Sequence, residues 1–377
     1  MYLSWGRARF RSTWMKWLTS IILALVVSIP VSLEAQFVCE GTACAALPLN
    51  QAQLDRIYND IQFQYFDQVF EDMAEAAALA SLSGAPMGDI NLDSFTFGLS
   101  AAVSYRALEE VDVRVAEVGT VENLPSTGVA AQPRVYLGMN LGEVMGGTHL
   151  VTKTPPWYSL SRFDLYISYV TFDMDQPSGT ARSDSEDWNV NARSKGLELR
   201  YHLADRRELT GPMMQFLGVS LGLGYNRFEQ DIRYSKQNTG TRISLASGEA
   251  VRWDANDTIQ YRSFIESYPL DIRTGVQFFH FLNLTVGAGS AWTKGHADFT
   301  ASRAGPAYLE SDIAALLGIT IPPSSLILNV TGSGAPPARF SYGLVGVELN
   351  FYFWKLYVEA RGNENVYSAN VGLRAVF

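Results

Sequence analysis

From Asp93 onward the chain alternates apolar residues with small or polar ones at a period of two. Phe95, Phe97, Leu99, Ala101, Val103 and Tyr105 stand against Thr96, Gly98, Ser100, Ala102 and Ser104. The pattern returns as Val135, Leu137, Met139 and Leu141 against Arg134, Tyr136, Gly138 and Asn140. It returns again as Leu217, Val219, Leu221, Leu223 and Tyr225 against Gly218, Ser220, Gly222, Gly224 and Asn226. Leu284, Val286 and Ala288 repeat it before Trp292. Successive side chains of a strand point to opposite faces, so this period predicts strands. Sorting the connections into short and long ones places strands at 94–106, 132–143, 160–173, 188–204, 213–228, 263–279, 283–299, 339–352, 354–362 and 366–377. That is about ten antiparallel strands, and β-like pieces at 232–235, 259–263 and 111–115 leave room for twelve to fourteen.

Alternation alone fits a soluble sandwich as well as a membrane barrel. Length favours the barrel, because soluble strands run about 5–6 residues and tilted membrane strands about 9–11. Aromatic residues gather at strand ends, as Phe278, Phe279 and Phe281 do, and Phe351, Tyr352, Phe353 and Trp354. That placement is the girdle of a membrane–water interface. The expected fold is all-β, a transmembrane antiparallel β-barrel over 93–377 with an N-terminal amphipathic helix.

The chain's end carries a resemblance. Asn370, Gly372, Leu373, Ala375 and Phe377 sit in a final alternating strand that closes on an aromatic residue. This segment resembles the C-terminal assembly signal of bacterial outer-membrane β-barrels, with Ala375 where a larger residue is more usual. The resemblance implies insertion by the barrel-assembly machinery into the outer membrane of a diderm bacterium.

The N-terminus fits that destination. Arg7, Arg9, Arg11 and Lys16 precede the apolar run Trp17 to Leu33, and Leu33-Glu34-Ala35 is an acceptable cleavage site, so residues 1–35 read as a signal peptide. Cys39 and Cys44, the only cysteines, can close a small disulfide loop in an oxidising compartment. Residues 36–92 form a separate segment, in which Ile57, Ile61, Phe66, Val69, Phe70 and Met73 recur at helical spacing. The segment is too acidic to span lipid. It is either a periplasmic helix on the barrel rim or a plug inside the lumen. A second helical stretch is expected at Tyr308–Leu317, within the longest outer loop.

Composition narrows the function. Charged residues are 18% of the chain, aromatics 12%, and the formal net charge is −9. No run past the N-terminus is apolar enough for a helical membrane protein, and nothing clusters basic charge as nucleic-acid binding requires. Four histidines, His149, His202, His280 and His296, are the candidate bases, and none stands in a recognisable nucleophile motif. No enzyme activity, cofactor or metal is expected.

Strand parity assigns Asp164, Glu198, Arg200, His202, Asp271, Arg273, Glu348, Lys355, Glu359, Arg361 and Arg374 to the interior as a polar network, with Tyr166 and Tyr357 as constrictions. Such groups can pair or meet water inside a barrel, whereas facing lipid they would cost a few kcal/mol each, about 2–4 for Arg or Lys at mid-membrane. The expected function is a passive channel or transporter for small solutes, with outer-membrane lipid around it. A hydrophobic-substrate transporter of the fatty-acid type and a non-transporting surface anchor or adhesin are the alternatives.

Overall fold

The computed structural model describes residues 36–41, 51–83, 95–115, 119–145, 156–176, 186–211, 213–244, 250–310 and 322–377. The expected signal segment, residues 1–35, and Cys44 lie outside them; Cys39 is disulfide-bonded.

A short strand β1 (Gln36–Glu40) precedes helix α1 (Gln51–Ile61), a π-helical turn Gln62–Phe66 and helix α2 (Asp67–Leu82). The strands that follow are β2 (Phe95–Arg106), β3 (Glu109–Val115), β4 (Gly119–Ser126), β5 (Val129–Asn140), β6 (Phe163–Gln176), β7 (Glu186–Ala204) and β8 (Arg207–Glu208). After them come β9 (Met214–Ser244), β10 (Ala250–Phe278), β11 (Leu282–Glu310), β12 (Ser324–Gly334), β13 (Arg339–Phe351), β14 (Trp354–Gly362) and β15 (Val366–Val376).

Ten of these close a ring: β2, β5, β6, β7, β9, β10, β11, β13, β14 and β15, each antiparallel to its neighbours. The last closes on the first through Val376↔Thr96 to Val366↔Arg106. Beyond β15, the Phe377 N–H donates to the Phe95 carbonyl at 2.9 Å. A closed ring leaves no strand edge unpaired, as lipid requires. Every strand expected from alternation is present, and the fold is an all-β barrel.

The two ends of the ring differ. The end that holds both Phe95 and Phe377 carries the tight β10–β11 and β13–β14 turns as well as the longer 141–162 connection. At the first turn Phe279 and His280 take φ of 51° and 61°, as a primed hairpin turn requires. Short turns mark the periplasmic end of such barrels and longer connections the outer end. At the outer end the structure corrects several expectations. β9, β10 and β11 run for 31, 29 and 29 residues. The β-like pieces at 232–235 and 259–263 are therefore extensions of ring strands and not an extra hairpin, and β11 continues well past its expected end at 299. Tyr308 to Glu310 finish β11 as strand, not helix; residues 311–317 lie outside the described residues. Pairing with β10 along its full length, Ala250↔Glu310 included, holds that segment extended. Residues 109–126 form a separate hairpin, β3–β4. β12 pairs with the upper half of β11, and β1 adds to β12.

Candidate functional site in the barrel lumen

Burial inverts that of a soluble protein. The outward positions of β2 are Phe95, Phe97, Leu99, Val103 and Tyr105, all exposed, with Leu99 at 52%. Arg200, Arg273 and Arg374 are instead among the largest fully buried side chains. An apolar belt outside and charge inside a closed ring suits lipid outside and polar groups within, the construction of outer-membrane β-barrels. This chain is an outer-membrane barrel protein of that kind.

The interior is filled in layers. At mid-barrel a chain of ion pairs crosses from β7 to β14. Arg200 Nη2 donates to Glu198 Oε1 at 2.7 Å and to Asp271 Oδ1 at 2.8 Å. Arg273 bridges Asp271 Oδ2 at 2.9 Å and Glu359 Oε2 at 2.8 Å, and Arg361 closes on Glu359 at 2.6 Å. Nearer the periplasmic end Arg374 and Glu348 lie 2.6 Å apart, both fully buried. Asn283 donates to the same carboxylate, and Lys355 stands 4.0 Å from it. A third group joins Asp164 to His202 Nε2 at 2.7 Å and to Asn140 Nδ2 at 2.8 Å. All eleven residues assigned to the interior by parity therefore face it. They make separate clusters rather than one ladder.

Tyrosines fill the space between charges. Tyr136, Tyr166 and Tyr357 lie directly across from Gly98, Gly138 and Gly372. A Cβ at any of these glycines would overlap the facing ring. Gly372, read in the sequence as part of an assembly signal, thus also has a packing role. Ala375 is buried at 5%, although its parity is outward. Its register partners are Trp354 and Phe97, so two aromatic residues flank it and leave room for a small one.

The helix is the other occupant. Ala76 to Ala80 and Leu82 are each 2% exposed or less, whichever way they point. A helix covered on every side lies within a core, and α2 packs on the ring strands β2, β5, β9, β10, β11 and β15 and on β12. Its residues cluster with Ile265, Phe340, Tyr342 and Leu344. The rim placement is therefore not what the structure has. The reason is the helix composition: alanine at 74, 76, 77, 78 and 80 makes a rod narrow enough for the lumen.

Polar contacts hold both of its ends. At the outer end Asp72, fully buried, pairs with Arg106 and accepts from Ser126. At the inner end Arg134 Nη2 donates to the Ser81 carbonyl at 2.9 Å, and Arg361 donates to that of Leu82. These are the free carbonyls of a helix C-terminus, which favour cations. Arg134, Asp72 and Arg106 were absent from the sequence assignment. Arg134 was legible, since it stands on the polar side of its strand. Asp72 was not, because its partners lie far away in sequence.

A family model described as Lsa36-like matches residues 32–377. The chain belongs to the Lsa36-like family. No curated protein matches this family member. Among solved structures it is similar to the outer-membrane protease OmpT of Escherichia coli, with 10% identity over 76% of this chain and 97% of that one, at a TM-score of 0.30. It is similar to a FadL homologue of Pseudomonas aeruginosa at 10% identity, over 82% and 98% of the two chains, with a TM-score of 0.26. The translocator domain of the autotransporter NalP from Neisseria meningitidis gives 9%, 76%, 90% and 0.25 for the same quantities. Likeness at these scores says nothing of activity.

Proposed function

We propose that this protein is a solute channel held closed by its own N-terminal helix. The observation that carries the reading is the way α2 is seated. Five of its residues from 74 to 80 are alanine, with Leu79 and Leu82 as the larger side chains packed on the wall in this stretch, and polar contacts fasten its two ends. A narrow, alanine-rich rod fixed by polar contacts at its ends can be released without dismantling the wall. Beneath it, acidic and basic side chains alternate across the lumen, which favours passage of small polar solutes over strong selection for one ion sign. Insertion through the barrel-assembly machinery follows from the C-terminal segment that resembles its signal.

We assign no catalysis. His202 and Asp164 form an imidazole–carboxylate pair, but at 1% and 0% exposure they meet no substrate in this closed form. A surface anchor is the second reading, favoured by the long outer extensions of β9 to β11 and by the filled lumen. Conductance in planar bilayers separates the two. The full chain should open rarely, and a variant lacking 51–83 should conduct steadily. A deletion variant that inserts, shows heat-modifiable mobility and still does not conduct would reject the channel and leave the anchor.

A further inference from the structure

The outward face of the barrel changes character in a single step at the outer end of β7, β9, β10 and β11. Tyr225 and Tyr268 pack at 5.3 Å, and Tyr268 is opposite Trp292 in register. These rings form an aromatic row, the mark of the interface. Below it the wall is apolar, with Leu199, Leu223 and Leu270 all exposed and side by side in register. Immediately above it, the outward row reads Lys195, Arg227, Glu266 and Lys294 across the four strands.

That row holds three cations and one carboxylate. Glu266 is shared: Lys294 Nζ lies 2.9 Å from it, Arg227 Nη1 3.7 Å, and the Tyr225 hydroxyl donates to it at 2.9 Å. Lys195 stands directly opposite Arg227, and like charges so placed destabilise a sheet. One row higher Arg193 and His296 flank Glu229 and Phe264, with the Arg227 guanidinium 4.7 Å over the Phe264 ring. Above that, burial works against the Asp231 carboxylate, yet hydrogen bonds from Arg233 and Gln260 hold it below its ordinary range; it is committed to the row above its own. A cavity of about 630 Å³ opens on this face, lined by Arg193, Arg227, Glu229, Arg262 and His296 among others.

We propose that this face binds the phosphate headgroup of an anionic lipid, whose acyl chains lie on the leucine wall below the aromatic row. The charge complements it: Arg227 is also paired with Glu229, so two carboxylates, Glu266 and Glu229, serve four cations, Arg193, Lys195, Arg227 and Lys294. An incoming phosphate would supply a further anion and relieve the Lys195–Arg227 opposition. The geometry complements it as well, because cations sit at headgroup height directly above the surface where acyl chains lie. This rests on the barrel spanning a bilayer and is independent of whether the lumen conducts.

The test uses the full chain in phosphatidylcholine nanodiscs carrying a minor fraction of spin-labelled phosphatidic acid or, separately, spin-labelled phosphatidylcholine. Wild type should hold several-fold more motionally restricted phosphatidic acid than phosphatidylcholine. A variant combining Lys195→Gln, Arg227→Gln and Lys294→Gln should bring the two to one level, while Lys195→Arg with Lys294→Arg keeps the preference. In wild type the preference should fall as salt rises, which serves even if the triple variant does not insert. Equal restriction of both lipids in wild type, indifference to salt, or an unchanged preference in an inserted triple variant would overturn the proposal. Displacement of the lipid by free inorganic phosphate would do so too, marking an ion site. Absence of heat-modifiable mobility in wild type would instead reject the barrel reading on which the proposal rests.

Discussion

Tyr357 lies directly across from Gly372, and its phenol fills the space a Cβ at 372 would need. The pair joins β14 to the last strand of the ring, beside the seam where β15 meets β2. Gly372→Ala should therefore act as overpacking and destabilise the folded barrel by about 1–3 kcal/mol. Adding Tyr357→Ala should cost less than the sum of the two single changes, since the clash disappears. Urea titrations of the heat-modifiable form measure both, and strict additivity would reject the pairing.

Neighbouring positions on one strand should fail for different reasons. Leu221 points outward and Leu221→Arg should cost about 2–4 kcal/mol near mid-membrane. Gly222 points inward against Arg200 and Asp271, which leave no room for a Cβ, so Gly222→Ser should also cost about 1–3 kcal/mol. Alternation alone would have made the inward serine mild. Leu221→Phe should be close to neutral in the same titration, and equal penalties for Phe and Arg at 221 would reject the lipid-facing assignment.

The Arg374–Glu348 pair is fully buried on both sides. Removing one partner strands a charge, so Glu348→Gln should destabilise the barrel by about 3–5 kcal/mol. Lys355, looser at 4.0 Å, should tolerate Lys355→Met with a far smaller loss. Denaturant midpoints for the two variants decide it, and a larger loss at 355 would contradict the geometry.

Deleting Phe377 removes the N–H that bonds to Phe95 and an exposed girdle aromatic. Assembled protein should fall while export continues, with unassembled chain degraded in the periplasm. Protease protection quantifies this, and a wild-type level would defeat the assembly role.

The outer tether of the helix offers a last measurement. Asp72→Asn keeps the side-chain shape but gives up the charge facing Arg106. Openings in planar bilayers should become more frequent than in wild type. An unchanged opening rate would show that this contact does not hold α2 in place.

The sequence by itself determined the barrel. A period of two with Leu99, Val103 and Val371 on one side and Ser100, Ser104 and Asn370 on the other decides which face meets lipid, because strand geometry leaves only two faces. The same parity put Arg200, Asp271, Arg273 and Glu359 inside before any contact was known. Tertiary structure decided what parity cannot carry. Residues 308–310 have a helical composition but end β11 as strand, because pairing with β10 outweighs local preference. The seat of α2 depends on Arg106, Arg134 and Arg361 converging from three strands, and a one-dimensional pattern holds no record of which distant residues meet. Ring closure made those meetings, since it alone brings β15 back to β2 around a helix that fits the space between.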